Sequence, residues 1–101
     1  MERLEFTYPA TRTIPHRAHV GVVGSGDLEV LLTPIAELTA RVIIRTSVGG
    51  FSSTWKAVLD RFFATYDGKV LLEINDSGAT PGAVNLRLWQ AVEASEKGAP
   101  A

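Results

Sequence analysis

The spacing of apolar residues changes once, sharply, near the middle of this chain. Before residue 48 they recur at every second position. Leu4 and Phe6 alternate with Glu5 and Thr7, Leu28, Val30 and Leu32 with Asp27, Glu29 and Leu31, and Val42 and Ile44 with Arg41 and Arg45. That period belongs to half-buried strands. Trp55, Val58, Leu59, Phe62, Phe63 and Tyr66 then follow i, i+3, i+4, i+7, i+8, i+11, the stripe of an amphipathic helix. Each kind of element has one apolar side to cover, and the simplest solution stacks helices on a sheet. The chain is 101 residues long, enough for one domain with a single modest core.

The segments predict the order β, β-hairpin, β, α, β, α. "LEFTY" (4–8) is a short strand and "PATRTIPHR" (9–17), with two prolines, an irregular connection. Ala18 to Val23 and Asp27 to Thr33 flank a Gly-containing corner and read as a hairpin. "ARVIIRTS" (40–47) is the next strand. Ser52 or Ser53 is placed to cap the helix that follows, and Gly68 to end it. "KVLLEIN" (69–75) is apolar on nearly both faces, which puts it centrally in the sheet. Thr80 then caps a helix with Pro81 at its first position, running to about Ser95. The expected fold is α+β: one small domain over residues 1–101, mainly antiparallel, with four or five strands, two packed helices and a frayed end at about 96–101.

On that last helix Val84, Leu88, Ala91 and Ser95 share one face, which packs on the sheet. Leu86 and Trp89 fall away from it. Either the helix is wedged between two elements of its own domain, the simpler explanation, or its second seam meets a partner.

Composition excludes several functions. A formal net charge of −1 offers no field for nucleic acid or an anionic membrane surface, and no apolar run approaches a membrane span. "MERLEF" lacks the order of a secretory signal, so a cytoplasmic protein is expected. With no cysteine, disulfides, thiolate metal sites and cysteine nucleophiles are all absent. His16 and His19, three apart at a strand start, point to opposite faces and share no metal.

One corner merits chemical attention. Ser25 stands between Gly24 and Gly26, with Asp27 next. Taken alone, Gly-Ser-Gly-Asp between two strands is a tight turn. Glu29 occupies the last glycine position of a dinucleotide fingerprint, and the corner opens into a strand, not a helix. Val23 and Asp27 replace the glycines of a nucleophile elbow, and nothing places His19 beside the serine. No catalytic group is identified. What survives is a serine displayed for modification: two small neighbours leave its hydroxyl accessible on a projecting backbone.

"VGVVGSGDLEVLL", "TSVGG", "NDSGATPG" and the following "LRL" together resemble the delta subunit, or acyl carrier protein, of malonate decarboxylase, over essentially the whole chain. The citrate lyase carrier subunit is a more distant likeness, sharing a serine-bearing corner. Ordinary acyl carrier proteins place an Asp-Ser-Leu motif at a helix start; no such motif occurs here.

The resemblance implies that Ser25 carries 2'-(5''-phosphoribosyl)-3'-dephospho-CoA (phosphoribosyl-dephospho-coenzyme A) through a phosphodiester, presented by Gly24, Gly26 and Asp27. Its thiol would hold an acetyl group that a transferase subunit exchanges for malonate; a decarboxylase subunit would then release carbon dioxide and restore the acetyl form. The thioester carbonyl can delocalise the carbanion that decarboxylation leaves. Further implied partners are a prosthetic-group transferase and a malonyl-acyltransferase. Asn75, Asp76 and Gly78 shape the strand-to-helix connection; the alternative is that Asp76 and Arg87 meet a partner subunit or the cofactor's phosphates. Leu86 and Trp89 become candidates for partner docking. Competing readings are a citrate lyase-type carrier, an unmodified interaction module and, least supported, a small hydrolase.

Overall fold

The computed structural model describes residues 1–98, and the two apolar periods separate into its two layers. Strands β1 (Glu2–Pro9), β2 (Ala18–Gly21), β3 (Leu28–Pro34), β4 (Thr39–Thr46) and β5 (Val70–Asp76) form one sheet in the order β1-β4-β5-β3-β2. Helices α1 (Ser52–Phe63) and α2 (Pro81–Lys97) cover one face. The expected α+β class and element order hold, and β5 is central, as its composition indicates.

Register explains how one face becomes the core. Leu4 pairs with Ile44, Ile44 with Ile74, Ile74 with Val30 and Val30 with Val20, so the inward positions are even-numbered throughout. Leu28, Val30, Leu32, Val42, Ile44, Val70, Leu72 and Ile74 are buried there. Fully burying such side chains stabilises by roughly 1.5–3 kcal/mol each. From the helices come Trp55, Leu59 and Phe62 on α1, and Val84, Leu88, Ala91 and Ser95 on α2. Those four α2 residues are the face that the helical period predicts; Val58 and Phe63 of the α1 stripe lie at the core margin.

No helix among the described residues covers the opposite sheet face. It carries Arg41 with Glu5 at 3.0 Å, His19 with Glu29 at 2.8 Å and Asn75 bonded to Glu29 at 2.9 Å. Leu71, Glu73 and Asn75 of β5 are therefore only partly buried, although the strand is apolar enough for a core on both sides. β4 and β5 run parallel, with α1 as the crossover such a pair requires; the other three pairings are antiparallel.

Several boundaries differ from expectation. Strand β2 stops at Gly21, leaving Val22 and Val23 exposed in the connection. Gly21 has φ +80°, and a Cβ there would overlap the Leu28 carbonyl oxygen, so the chain departs from the ladder where the two backbones approach closely. Neither Ser52 nor Ser53 caps α1: Phe51 is the N-cap residue, with no side-chain hydrogen bond. The helix ends at Phe63 through a tightened turn, Thr65 N–H to Phe62 O at 3.2 Å, well before Gly68, which bridges to Arg12 instead. Helix α2 continues past Ser95 to Lys97, where Arg12 holds Glu96 at 2.7 Å; the rest of the expected frayed end, 99–101, lies outside the described residues. No helix among the described residues is long and apolar enough to cross a membrane.

Candidate functional site

The hairpin connection between β2 and β3 closes on a single turn. Asp27 N–H donates to the Gly24 carbonyl at 2.9 Å, and Gly26 has φ +74°. A left-handed third residue marks a type II β-turn, which puts Ser25 at the second position, the outer corner. Ser25 is exposed. A Cβ added at Gly26 would meet no atom within 4 Å, and one at Gly24 only Val22 Cγ2 at 3.8 Å. The serine thus stands in open space on both sides.

Underneath, the turn is held firmly. Asp27 Oδ1 accepts the Leu28 N–H at 2.7 Å, fixing the start of β3. From α2, Arg87 closes on the same carboxylate with two arms, Nε to Oδ1 at 3.2 Å and Nη2 to Oδ2 at 2.7 Å. A planar guanidinium meeting a carboxylate in a fork is the strongest common form of ion pair. The Arg87 bonds, followed by the Leu28 amide, hold the Asp27 carboxyl below its ordinary value. Arg87 and Asp27 come to attention separately in the sequence, and the structure joins them. The arginine's Nε and Nη2 are engaged by Asp27, and Nη1 donates to Gln90 at 3.1 Å.

A second turn backs the first. Gly26 N–H donates to the Ser77 carbonyl at 2.7 Å, and Ser77 N–H donates to the Asp27 carbonyl at 2.9 Å. Asp76 shapes that segment from within. Its Oδ1 accepts the Ala79 N–H at 2.9 Å, and its Oδ2 accepts the Thr46 hydroxyl at 2.8 Å and the Gly78 N–H at 3.2 Å. Asp76 is buried, and these bonds build the platform on which the serine turn rests. The same segment starts α2: Thr80 Oγ1 accepts the Ala83 N–H at 3.1 Å, with Pro81 at the first helical position.

Leu86 and Trp89 part company. Leu86 is 57% exposed, next to Arg87 on the helix surface. Trp89 is 38% exposed and packs its ring 4.9 Å from Phe62 and 6.3 Å, edge-on, from Tyr66. It fills the seam between α1 and α2, the internal arrangement expected for it, and leaves one edge to solvent. Sequence reasoning missed Ser77 and the function of Gly21. Ser77 acts only through its backbone, so its side chain carries no signal. A lone glycine inside a strand pattern does signal close backbone approach, and Gly21 is such a glycine.

Residues 15–95 match the family model described as the malonate decarboxylase delta subunit, MdcD. The chain is 47% identical over 94 residues to the malonate decarboxylase acyl carrier protein of Azotobacter vinelandii, covering 92% of this chain and 95% of that one. It is 46% identical over 94 residues to the protein of the same name from Pseudomonas fluorescens strain SBW25, with the same coverage. Its fold superposes with a TM-score of 0.88, at 46% identity, on a chain from the crystal structure of a Pseudomonas malonate decarboxylase hetero-tetramer in complex with malonate, covering 92% of this chain and 97% of that one. The chain belongs to the malonate decarboxylase delta subunit family of acyl carrier proteins.

Proposed function

We propose that Ser25 is the attachment point of phosphoribosyl-dephospho-coenzyme A, joined by a phosphodiester, and that this chain carries acetyl and malonyl thioesters between the transferase and decarboxylase subunits of malonate decarboxylase. The observation that carries the reading is an exposed serine at the corner of a turn with open space beside both glycines, in a chain of this family. A bulky group fits such a corner, since a Cβ added at the neighbouring Gly26 would meet no other residue within 4 Å. When bound, the group supplies the thiol that a chain without cysteine lacks.

The chain's own residues then do two things. Gly24 and Gly26 keep the corner narrow enough to enter a modifying enzyme or a partner's active site. Asp27, Arg87 and the Ser77 backbone hold the base of the turn, so the tether starts from a fixed point and its free end searches a restricted volume. Restricting that volume raises the effective concentration of the carried group at each partner, which is the contribution of a carrier. No catalytic residue is assigned to it. His19 has its Nε2 2.8 Å from Glu29 Oε2 on the uncovered sheet face, and among the described residues no hydrogen bond joins it to Ser25. Leu86, beside Arg87 and exposed, and the exposed part of Trp89 are the α2 side chains we assign to partner contact, while Asp76 is buried and spent on Thr46, Gly78 and Ala79.

Replacing Ser25 by Ala tests the reading. The reconstituted complex should lose essentially all malonate-to-acetate turnover while the variant melts at the wild-type temperature. Retained turnover would make the corner a turn and nothing more.

A further inference from the structure

Beside the attachment turn the molecule has a cleft of about 280 Å³. It opens where the parallel strands β4 and β5 end, between the first turns of α1 and α2, and Val48, Phe51, Trp55, Val58, Ala79 and Val84 form its apolar wall. The carboxyl ends of parallel strands are where ligands settle in open α/β sheets. The polar groups in the lining are Thr46, Thr54 and Asp76. Thr46 and Asp76 bond each other at 2.8 Å, and the Asp76 oxygens also take two backbone N–H groups, so this polar end is already satisfied. Among the described residues, no lysine, arginine or histidine lines the cleft.

The cleft is joined to the turn. Gly26 and Asp27 are bonded to Ser77, and the next residue, Gly78, is part of the cleft wall. A flexible group anchored at Ser25 therefore begins beside its mouth, at effective concentrations on the order of millimolar. Weak affinity is then enough for docking.

The geometry points to this cleft as the resting place of the uncharged end of the Ser25-linked arm, as thiol or acetyl thioester, with the malonyl form excluded. This inference rests on the attachment proposed above. An acetyl group adds a methyl that suits the apolar wall and an uncharged thioester carbonyl, whose removal from water costs far less than that of a charge. A malonyl group would bring a carboxylate out of water beside Asp76 with no cation to meet it, an arrangement that buried charge does not tolerate. Charging the arm with malonate would thus release it for delivery, and decarboxylation would return it to shelter.

The test uses the chain purified from its native complex, with the arm's mass on Ser25 confirmed first. Because the protein has no cysteine, a thiol reagent reads the arm alone. The deacetylated arm should be alkylated at least roughly threefold more slowly than the same arm on a denatured chain, as expected when the docked state is the major one. Thr54→Phe, at the exposed edge of the cleft, should abolish that protection with melting unchanged; should it destabilise the fold, Phe51→Ala, which opens the wall, should reduce protection. With a ¹³C-labelled acetyl group, nuclear Overhauser contacts to the Val58 and Val84 methyls should appear, and they should vanish on malonyl loading. A modified Ser25 with no protection and no such contacts overturns the cleft proposal alone. Equal contacts from the malonyl form overturn the exclusion. An unmodified serine in an active complex overturns both this inference and the attachment.

Discussion

Asp27 does more than the turn chemistry of its neighbourhood requires. An Asp after Gly-Ser-Gly can satisfy nearby backbone, and it does so through the Leu28 N–H at 2.7 Å. That much was legible, as was Ser25 at a corner with small neighbours. Its partnership with Arg87 spans 60 residues of sequence, a separation over which no local pattern speaks. The pair leads to a pH prediction. Because the folded-state pKa of Asp27 is lowered, its contribution to stability is fully present above the ordinary value of 3.8 and is lost as pH falls through the lowered folded value. Followed by carboxyl ¹³C shifts, Asp27 should titrate with a midpoint below 3.8, and in Arg87→Gln that midpoint should rise toward 3.8. Identical midpoints in the two proteins would mean that the fork does not form in solution.

Among the elements, α2 was the most legible and α1 the least at its ends. Thr80, Pro81 and the Val84, Leu88, Ala91, Ser95 face are local signals that the fold leaves unopposed. Ser52 and Ser53 offered caps to α1, yet the helix begins after Phe51, whose carbonyl already accepts the Trp55 N–H at 2.9 Å. Position on α2 separates two residues that the sequence could only name together. Trp89→Ala should lower unfolding free energy by about 1–3 kcal/mol, less than the roughly 3–5 kcal/mol of a fully buried aromatic, because one edge of the ring is already solvated. Leu86→Ala should change stability by no more than about 0.5 kcal/mol, as expected of an exposed side chain, and should weaken binding to the purified partner subunits. Urea denaturation and a binding titration separate the two. A large loss of stability from Leu86→Ala would return it to the core and remove it from the docking surface.

At the scale of the molecule, strand order was the part the sequence concealed. A hairpin and a crossover helix can be read from spacing, but which edges meet is decided by burial summed over five strands. The order β1-β4-β5-β3-β2 brings the end of β5 beside the start of β3, so "GSGD" and "NDSGATPG", fifty residues apart, form one rim of the sheet. The parallel β4–β5 pair opens its cleft on the same rim. Under the proposed attachment, sheet and helices serve as a scaffold that fixes the rim, and the group on Ser25 carries the chemistry. The most direct test is the intact mass of the chain isolated from its native complex, followed by mapping of the tryptic peptide 18–41. A mass excess equal to phosphoribosyl-dephospho-coenzyme A, located on Ser25, is the predicted result. An unmodified Ser25 in a complex that still decarboxylates malonate would contradict the account.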